Sequence, residues 1–202
     1  SSYRLSGGKL IAAKVAPNKI AFIYNYMDDS NAYTVRLNTL SVIGDTVSLG
    51  TNSSIYSGNI SSYSIAPIGN DKALIRYGKY SRVYYEDAVG EQTTLAAAGM
   101  LVPLSEDKAV LYTATAAYTV SADDMTLTLG DEQTVECVNE PGIAFSSSSV
   151  FVFGKSGKFF LLTIEGNRVS NAVPSIGVGA FIKKATSRLH NIGVAKTSGG
   201  EG

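Results

Sequence analysis

Asn70-Asp71-Lys72-Ala73-Leu74-Ile75-Arg76-Tyr77 and Glu106-Asp107-Lys108-Ala109-Val110-Leu111-Tyr112 are the two stretches that decide the fold. Each passes from a polar turn through Lys into an apolar run that does not alternate. Pro17-Asn18-Lys19-Ile20-Ala21-Phe22-Ile23-Tyr24 carries the same turn, Lys and apolar run, and Ser148-Ser149-Val150-Phe151-Val152-Phe153 keeps the strand without Asp-Lys. Runs of Val, Ile, Tyr and Phe bounded by turn formers read as β-strands. A half-exposed strand would alternate apolar and polar residues, so Ala109-Val110-Leu111 and Val150-Phe151-Val152-Phe153 predict strands covered on both faces.

Each of these four strands has the same neighbours. One strand precedes the Lys turn (Lys9–Val15, Ser62–Ala66, Met100–Leu104, Gly142–Phe145), and a second follows about ten residues on (Tyr33–Leu37, Arg82–Glu86, Tyr118–Ala122, Phe159–Ile164). A third then follows at Thr46–Leu49, Gln92–Ala96, Gln133–Val138 and Arg168–Ala172. Aligning Ile20, Ala73, Ala109 and Val150 gives offsets of 53, 36 and 41 residues, the first lengthened by a Ser/Asn/Gly-rich insertion at Gly50–Asn59. Four strands per unit of about 40 residues is the signature of a β-propeller blade. The expected fold is all-β, a single β-propeller domain over residues 1–202 with about five four-stranded blades. The repeats span 9–59, 60–99, 100–140 and 141–175, with a closing blade from 176–202 plus 1–8 that pairs Gly179–Lys183 and Asn191–Lys196 with Tyr3–Leu5. A β-sandwich with long hairpins is the alternative, and a cut-out of a larger ring is a third reading.

Composition narrows the function. Seventeen basic and seventeen acidic residues among 202 give zero net charge, which argues against nucleic acid or an anionic membrane as a partner. No stretch approaches the ~20 apolar residues needed to span a bilayer, and no signal peptide is visible. The Ala-rich pieces Leu95–Ala98 and Thr115–Ala117 are too short for stable helices. One Cys, one His and no Trp exclude an intrachain disulfide and a Cys/His zinc cage, and any Ser-His-Asp scheme must use His190.

The individual candidates read mostly as structural. His190 has no nucleophile or carboxylate motif beside it and reads as a solvated turn residue. Cys137, in Val135-Glu136-Cys137-Val138, reads as a small buried hydrophobe. The acidic pairs Asp28-Asp29, Asp123-Asp124 and Asp131-Glu132 sit where hairpin turns favour Asp, with Met27–Asn31 the best calcium candidate among them. Ser6-Gly7-Gly8-Lys9 and Gly177-Val178-Gly179 lack the spacing of a phosphate loop. No catalytic residue, cofactor or metal is therefore expected. The twelve tyrosines are more suggestive, because Tyr offers rigid contact area at little entropic cost. Tyr77, Tyr80, Arg82, Tyr84 and Tyr85 crowd the second unit and form the candidate ligand-binding set.

The C-terminal stretch from Lys184 to Gly202 resembles a segment common in structural proteins of tailed bacteriophages and prophages. The shared pattern is an apolar-x-Gly-apolar-Ala-x-x-x-Gly-x-x-Gly turn, matched by Ile192, Gly193, Val194, Ala195, Gly199 and Gly202. The strand that usually follows the turn is missing here. The resemblance implies a virion protein of the tail or fibre, made in the bacterial cytoplasm. It also implies contact with other virion proteins or with a bacterial surface glycan or protein, and it carries no catalytic residue. The expected function is therefore non-enzymatic: assembly or host-surface adhesion, with a homo-oligomer among the arrangements considered. The alternative is a free-standing lectin-like propeller. A hydrolase using the acidic pairs is a third class.

Overall fold

The computed structural model describes residues 4–95, 99–138, 140, 142–154, 158–171 and 176–177, and none of these is helical. Four antiparallel meanders follow one another along the chain. The first sheet is β1 (Arg4–Ala16), β2 (Lys19–Met27), β3 (Tyr33–Ile43) and β4 (Thr46–Ser57). The second is β5 (Tyr63–Gly69), β6 (Lys72–Tyr77) and β7 (Tyr80–Tyr85), with β8 (Ala88–Val89) and β9 (Thr93–Thr94) both paired to β7. The third is β10 (Met100–Ser105), β11 (Lys108–Tyr112) and β12 (Ala116–Asp123), with β13 (Thr126–Leu129) and β14 (Gln133–Thr134) both paired to β12. The fourth is β15 (Ile143–Ser146), β16 (Ser149–Phe153) and β17 (Lys158–Glu165), with β18 (Arg168–Asn171) and β19 (Ile176–Gly177) both paired to β17. The chain is thus all-β, and its four sheets correspond to the four repeats rather than to the two layers of a sandwich.

Three details differ from the sequence reading. Gly50–Asn59 is largely not an insertion, because β4 runs through it to Ser57 and pairs with β3. Its Ser, Thr and Asn residues resemble a loop by composition, but the pairing overrides that preference. Much of the first unit's extra length lies in its central hairpin: Ile20 pairs with Leu40, whereas Ala73 pairs with Tyr84 and Ala109 with Val120. The fourth-strand position of the third sheet opens at Thr126 with β13, ahead of the expected Gln133. Finally, Arg4 and Leu5 pair with Met27 and Tyr26 in the first sheet, and Ile176 pairs with Phe159 in the fourth. Those residues extend existing sheets. Gly179–Lys183 and Asn191–Lys196 lie outside the described residues.

The sheets stack face to face in chain order. Ala21, Ile23, Val35 and Leu37 of the first meet Ala73, Ile75, Tyr77 and Tyr84 of the second. Ile68, Leu74 and Val83 of the second meet Ala109, Leu111 and Val120 of the third. Val110, Tyr112 and Cys137 of the third meet Val150, Val152, Leu162 and Val169 of the fourth. A middle sheet must therefore be apolar on both sides, and all six residues of β6 are buried. Each large side chain so covered contributes about 1.5–3 kcal/mol.

One irregularity recurs in every sheet. The pairing of the first two strands slips just before their turn, so that Val15, Ile68, Leu104 and Phe145 each stand unpaired in a bulge. A bulge takes a residue out of the ladder and re-aims it. The carbonyl of Val15 accepts the Asp71 amide at 2.7 Å, and that of Ile68 accepts the Asp107 amide at 2.5 Å, so each bulge bonds to the next sheet. Within each sheet, the carbonyls of Asn18, Asp71, Asp107 and Ser148 accept the amides of Val42, Glu86, Ala122 and Ile164 at 2.8–3.1 Å. Asp71 and Asp107 adopt φ of 54° and 64°, which Asp tolerates better than most residues.

A second device is a glycine that follows an apolar residue, at Leu49-Gly50, Val89-Gly90 and Leu129-Gly130, forty residues apart. A Cβ on Gly90 would lie 2.6 Å from the Met125 carbonyl in the third sheet, and one on Gly130 would collide with the Asn167 carbonyl in the fourth. These positions let the next sheet's hairpin dock. Gly90→Ala and Gly130→Ala should each destabilise by about 1–3 kcal/mol in urea titration. Gly44→Asn, at φ +59° with nothing within 4 Å of the added atom, should be near neutral, because Asn tolerates that conformation. Equal effects at all three sites would refute the docking role.

Candidate functional site

Of the residues expected to bind a ligand, Tyr77, Tyr80, Arg82 and Tyr84 share the face toward the first sheet, and Tyr85 lies on the other. Tyr77 and Tyr84 are fully buried, while Tyr80, Arg82 and Tyr85 are half-buried. Tyr80 and Tyr84 pack toward the first sheet, whereas Tyr85 packs toward the third. Strand alternation separates Tyr85 from the rest, as neighbours on β7 point to opposite faces. Tyr77 and Tyr80 instead join Tyr56 of β4 in a cluster with ring centroids 5.4–5.9 Å apart. Arg82 donates to the Tyr77 hydroxyl at 2.8 Å and to the Gly90 carbonyl at 2.8 Å, and Tyr77 donates to Gln92 at 3.1 Å. Burial raises the Tyr77 phenol above its ordinary range. This cluster serves mainly as a packing unit between sheets.

The repeated Asp-Lys has a structural use that sequence reading missed. The Lys19 ammonium reaches from the first sheet to Asp71 at 2.6 Å and Asp87 at 3.0 Å in the second. Lys72 makes the same step from the second sheet to Asp107 in the third, at 2.6 Å. The Tyr84 hydroxyl donates to Asp71 at 2.9 Å and to Asp87 at 3.1 Å, and Thr51 donates to the Asp87 carbonyl at 2.9 Å. Burial alone would lower the Lys19 pKa, but hydrogen bonds to Asp71 and Asp87 outweigh it and hold the ammonium above its ordinary range. For Asp87, burial works to raise the pKa, but Lys19 and Thr51 outweigh it and the carboxylate is held low. At the third junction Ser148 replaces the Asp. There Thr119 donates to the Asn167 carbonyl at 2.7 Å, and the Val138 amide donates to the Phe153 carbonyl at 2.8 Å.

The remaining candidates are also accounted for locally, except His190, which lies outside the described residues. Asp28, in the proposed calcium turn, accepts the Ser30 and Ala32 amides at 2.9 Å and the Ser30 hydroxyl at 2.7 Å. Asp123 ends β12 and Asp124 opens the turn to β13, and Glu132 accepts the Tyr118 hydroxyl at 2.6 Å. Cys137 is buried, and that burial pushes its thiol up to about 11.

The two outer faces of the stack contrast with its interior. Ala73, Ala109 and Val150 are 0% exposed, yet Ile20 at the same register of the first sheet is 41% exposed. Beside it Val42, Val47 and Leu49 are exposed, Leu49 by 73%. On the far face of the fourth sheet, Ile143, Phe153 and Phe145 are exposed, Phe145 by 68%. Large contiguous apolar patches on a soluble protein mark interaction surfaces. No protein-family model matches the sequence, and no curated protein matches it.

Two measurements follow from this geometry. A raised Lys pKa gives stability that is full below its unfolded value, near 10.4, and is lost as pH rises through the higher folded value. A depressed Asp pKa gives stability that is full above about 3.9 and is lost as pH falls below it. The difference in urea midpoint between the wild type and Lys19→Met should thus stay flat from about pH 5 to about pH 9 and shrink outside that window. A difference that varies steadily across the window would exclude the pair as its source. At pH 7.5, iodoacetamide should leave Cys137 unmodified in the folded protein and alkylate it fully in urea. Rapid native modification would show an accessible thiolate instead.

Proposed function

We propose that the four sheets are blades of a β-propeller, and that the chain is a non-enzymatic structural protein of a tailed-phage virion, acting in assembly or in attachment to a bacterial surface. The order of the sheets supports the propeller: β1 lies beside β5, β5 beside β10, and β10 beside β15, as inner strands of successive blades do around an axis. The observation that carries the functional reading is the pair of apolar outer faces, which suit a protein built to be covered by another. The phage-like pattern at Ile192, Gly193, Val194, Ala195, Gly199 and Gly202 supplies the virion context. Much of the polar chemistry is already used inside the stack, where Lys19, Lys72, Asp71, Asp87 and Asp107 bind one another.

The lectin-like alternative draws on one feature, a cleft of about 480 Å³ between the second and third sheets, lined among others by Glu91, Gln92 and Met125. The deciding experiment is mass spectrometry of phage particles released from the bacterium that carries the gene, paired with competition of particle adsorption by the purified chain. The chain should be found in the particles, and in the adhesion case it should lower adsorption several-fold. Absence from particles together with reproducible glycan-array binding would replace this reading with the lectin.

A further inference from the structure

Every junction inside the stack joins two unlike halves. The outgoing half presents the bulge residue and the residue that opens the second strand: Val15 with Lys19, Ile68 with Lys72, Leu104 with Lys108. The incoming half presents the turn residue and the face behind it: Asp71 with Ala73, Asp107 with Ala109, Ser148 with Val150. Val15, Ile68 and Leu104 all pack into the apolar cluster shared with the next sheet. Among the described residues, the stack ends with one half of each kind uncovered. The fourth sheet offers exposed Phe145 beside buried Ser149, the first offers Asn18 and Ile20, and no other described sheet lies against either face.

Building on the propeller reading, we propose that a second copy of the chain covers both faces: the fourth sheet of each copy packs on the first sheet of the other, and two copies close a ring of eight sheets. One chain carries both halves of a contact that it already makes three times internally, and this favours a second copy over a foreign protein. The charges agree. Ser149 and Asn18 are neutral where the interior uses Lys and Asp, so the new junction buries no lone charge at that position. The apolar surfaces match in kind, with Ile143 and Phe145 on one side and Ile20 and Leu49 on the other. A head-to-tail contact either closes or runs on into a filament. Closure at two copies leaves no apolar end bare, and eight sheets fall within the roughly four to eight blades of known propellers.

Light scattering on the full chain tests this. The expected mass is about twice the 21.3 kDa of one chain. Leu49→Asp on the first sheet, or Phe145→Asp on the fourth, should each shift the particle to a single-chain mass and raise the dissociation constant at least tenfold. Both side chains are exposed, so circular dichroism should be unchanged. Mixing the two variants should restore a two-chain species, because the intact fourth sheet of one meets the intact first sheet of the other. A contact of either face with itself would respond to one variant only and would show no such rescue, which overturns the proposal. So does a single-chain wild type at tens of micromolar. In that case little binding of a hydrophobic dye would point to residues beyond 177 as the cover, and strong dye binding to a foreign partner. A single-chain protein that is still found in phage particles would sink the second copy and leave the virion assignment standing.

Discussion

The bulge before each first hairpin turn, at Val15, Ile68, Leu104 and Phe145, is the constraint around which the stack is organised. A regular ladder would hold the carbonyls of the edge strands β1 and β5 within the plane of their own sheet, a closed pattern that leaves neighbouring sheets to meet through side chains alone. The extra residue breaks that closure. It sends an apolar side chain outward and, at Val15 and Ile68, turns a carbonyl to the amide of an Asp in the next sheet. That hydrogen bond fixes where the Asp sits, and the Asp then receives the Lys of the previous sheet. Non-directional apolar packing would let the sheets slide. The bulge, the Asp and the Lys together select one offset.

The same economy shapes the chemistry the protein has to offer. Partly buried carboxylates are the usual raw material of active sites. Here Lys19 and Tyr84, both held above their ordinary range, bind Asp71 and Asp87. Arg76 is buried among Ser62, Ser64 and the Gly78 carbonyl, and desolvation lowers its pKa to about 10. Strongly shifted groups thus arise where the sheets assemble.

How much of this was legible in the sequence depended on the period of the signal. The second strands were plain, because residues buried on both sides, such as Ala109-Val110-Leu111, break the alternation of an exposed sheet. Gly50–Asn59 was misread because the polar composition of an edge strand resembles a loop until its partner is known. Tyr85 reads as one patch with Tyr80 and Tyr84 in one dimension, but it points to the opposite face of β7. Lys19 and Asp71 are 52 residues apart, so their pairing could be seen only once the sheets were stacked. The forty-residue spacing of Gly50, Gly90 and Gly130 was present throughout, and a self-alignment on glycine instead of apolar runs would have exposed it.

The change of chemistry at the third junction means that the stack does not respond uniformly to its medium. The first two seams are held in part by ion pairs, which dissolved electrolyte screens, although less when they are partly buried. The third seam relies on the Thr119, Val138 and Cys137 contacts and on apolar burial, which strongly excluded salts reinforce. Rising ionic strength therefore weakens the ion-pair share of the first two seams and leaves the apolar share of all three in place. In strong brine the first two junctions lose part of their directional hold, and the third keeps its own.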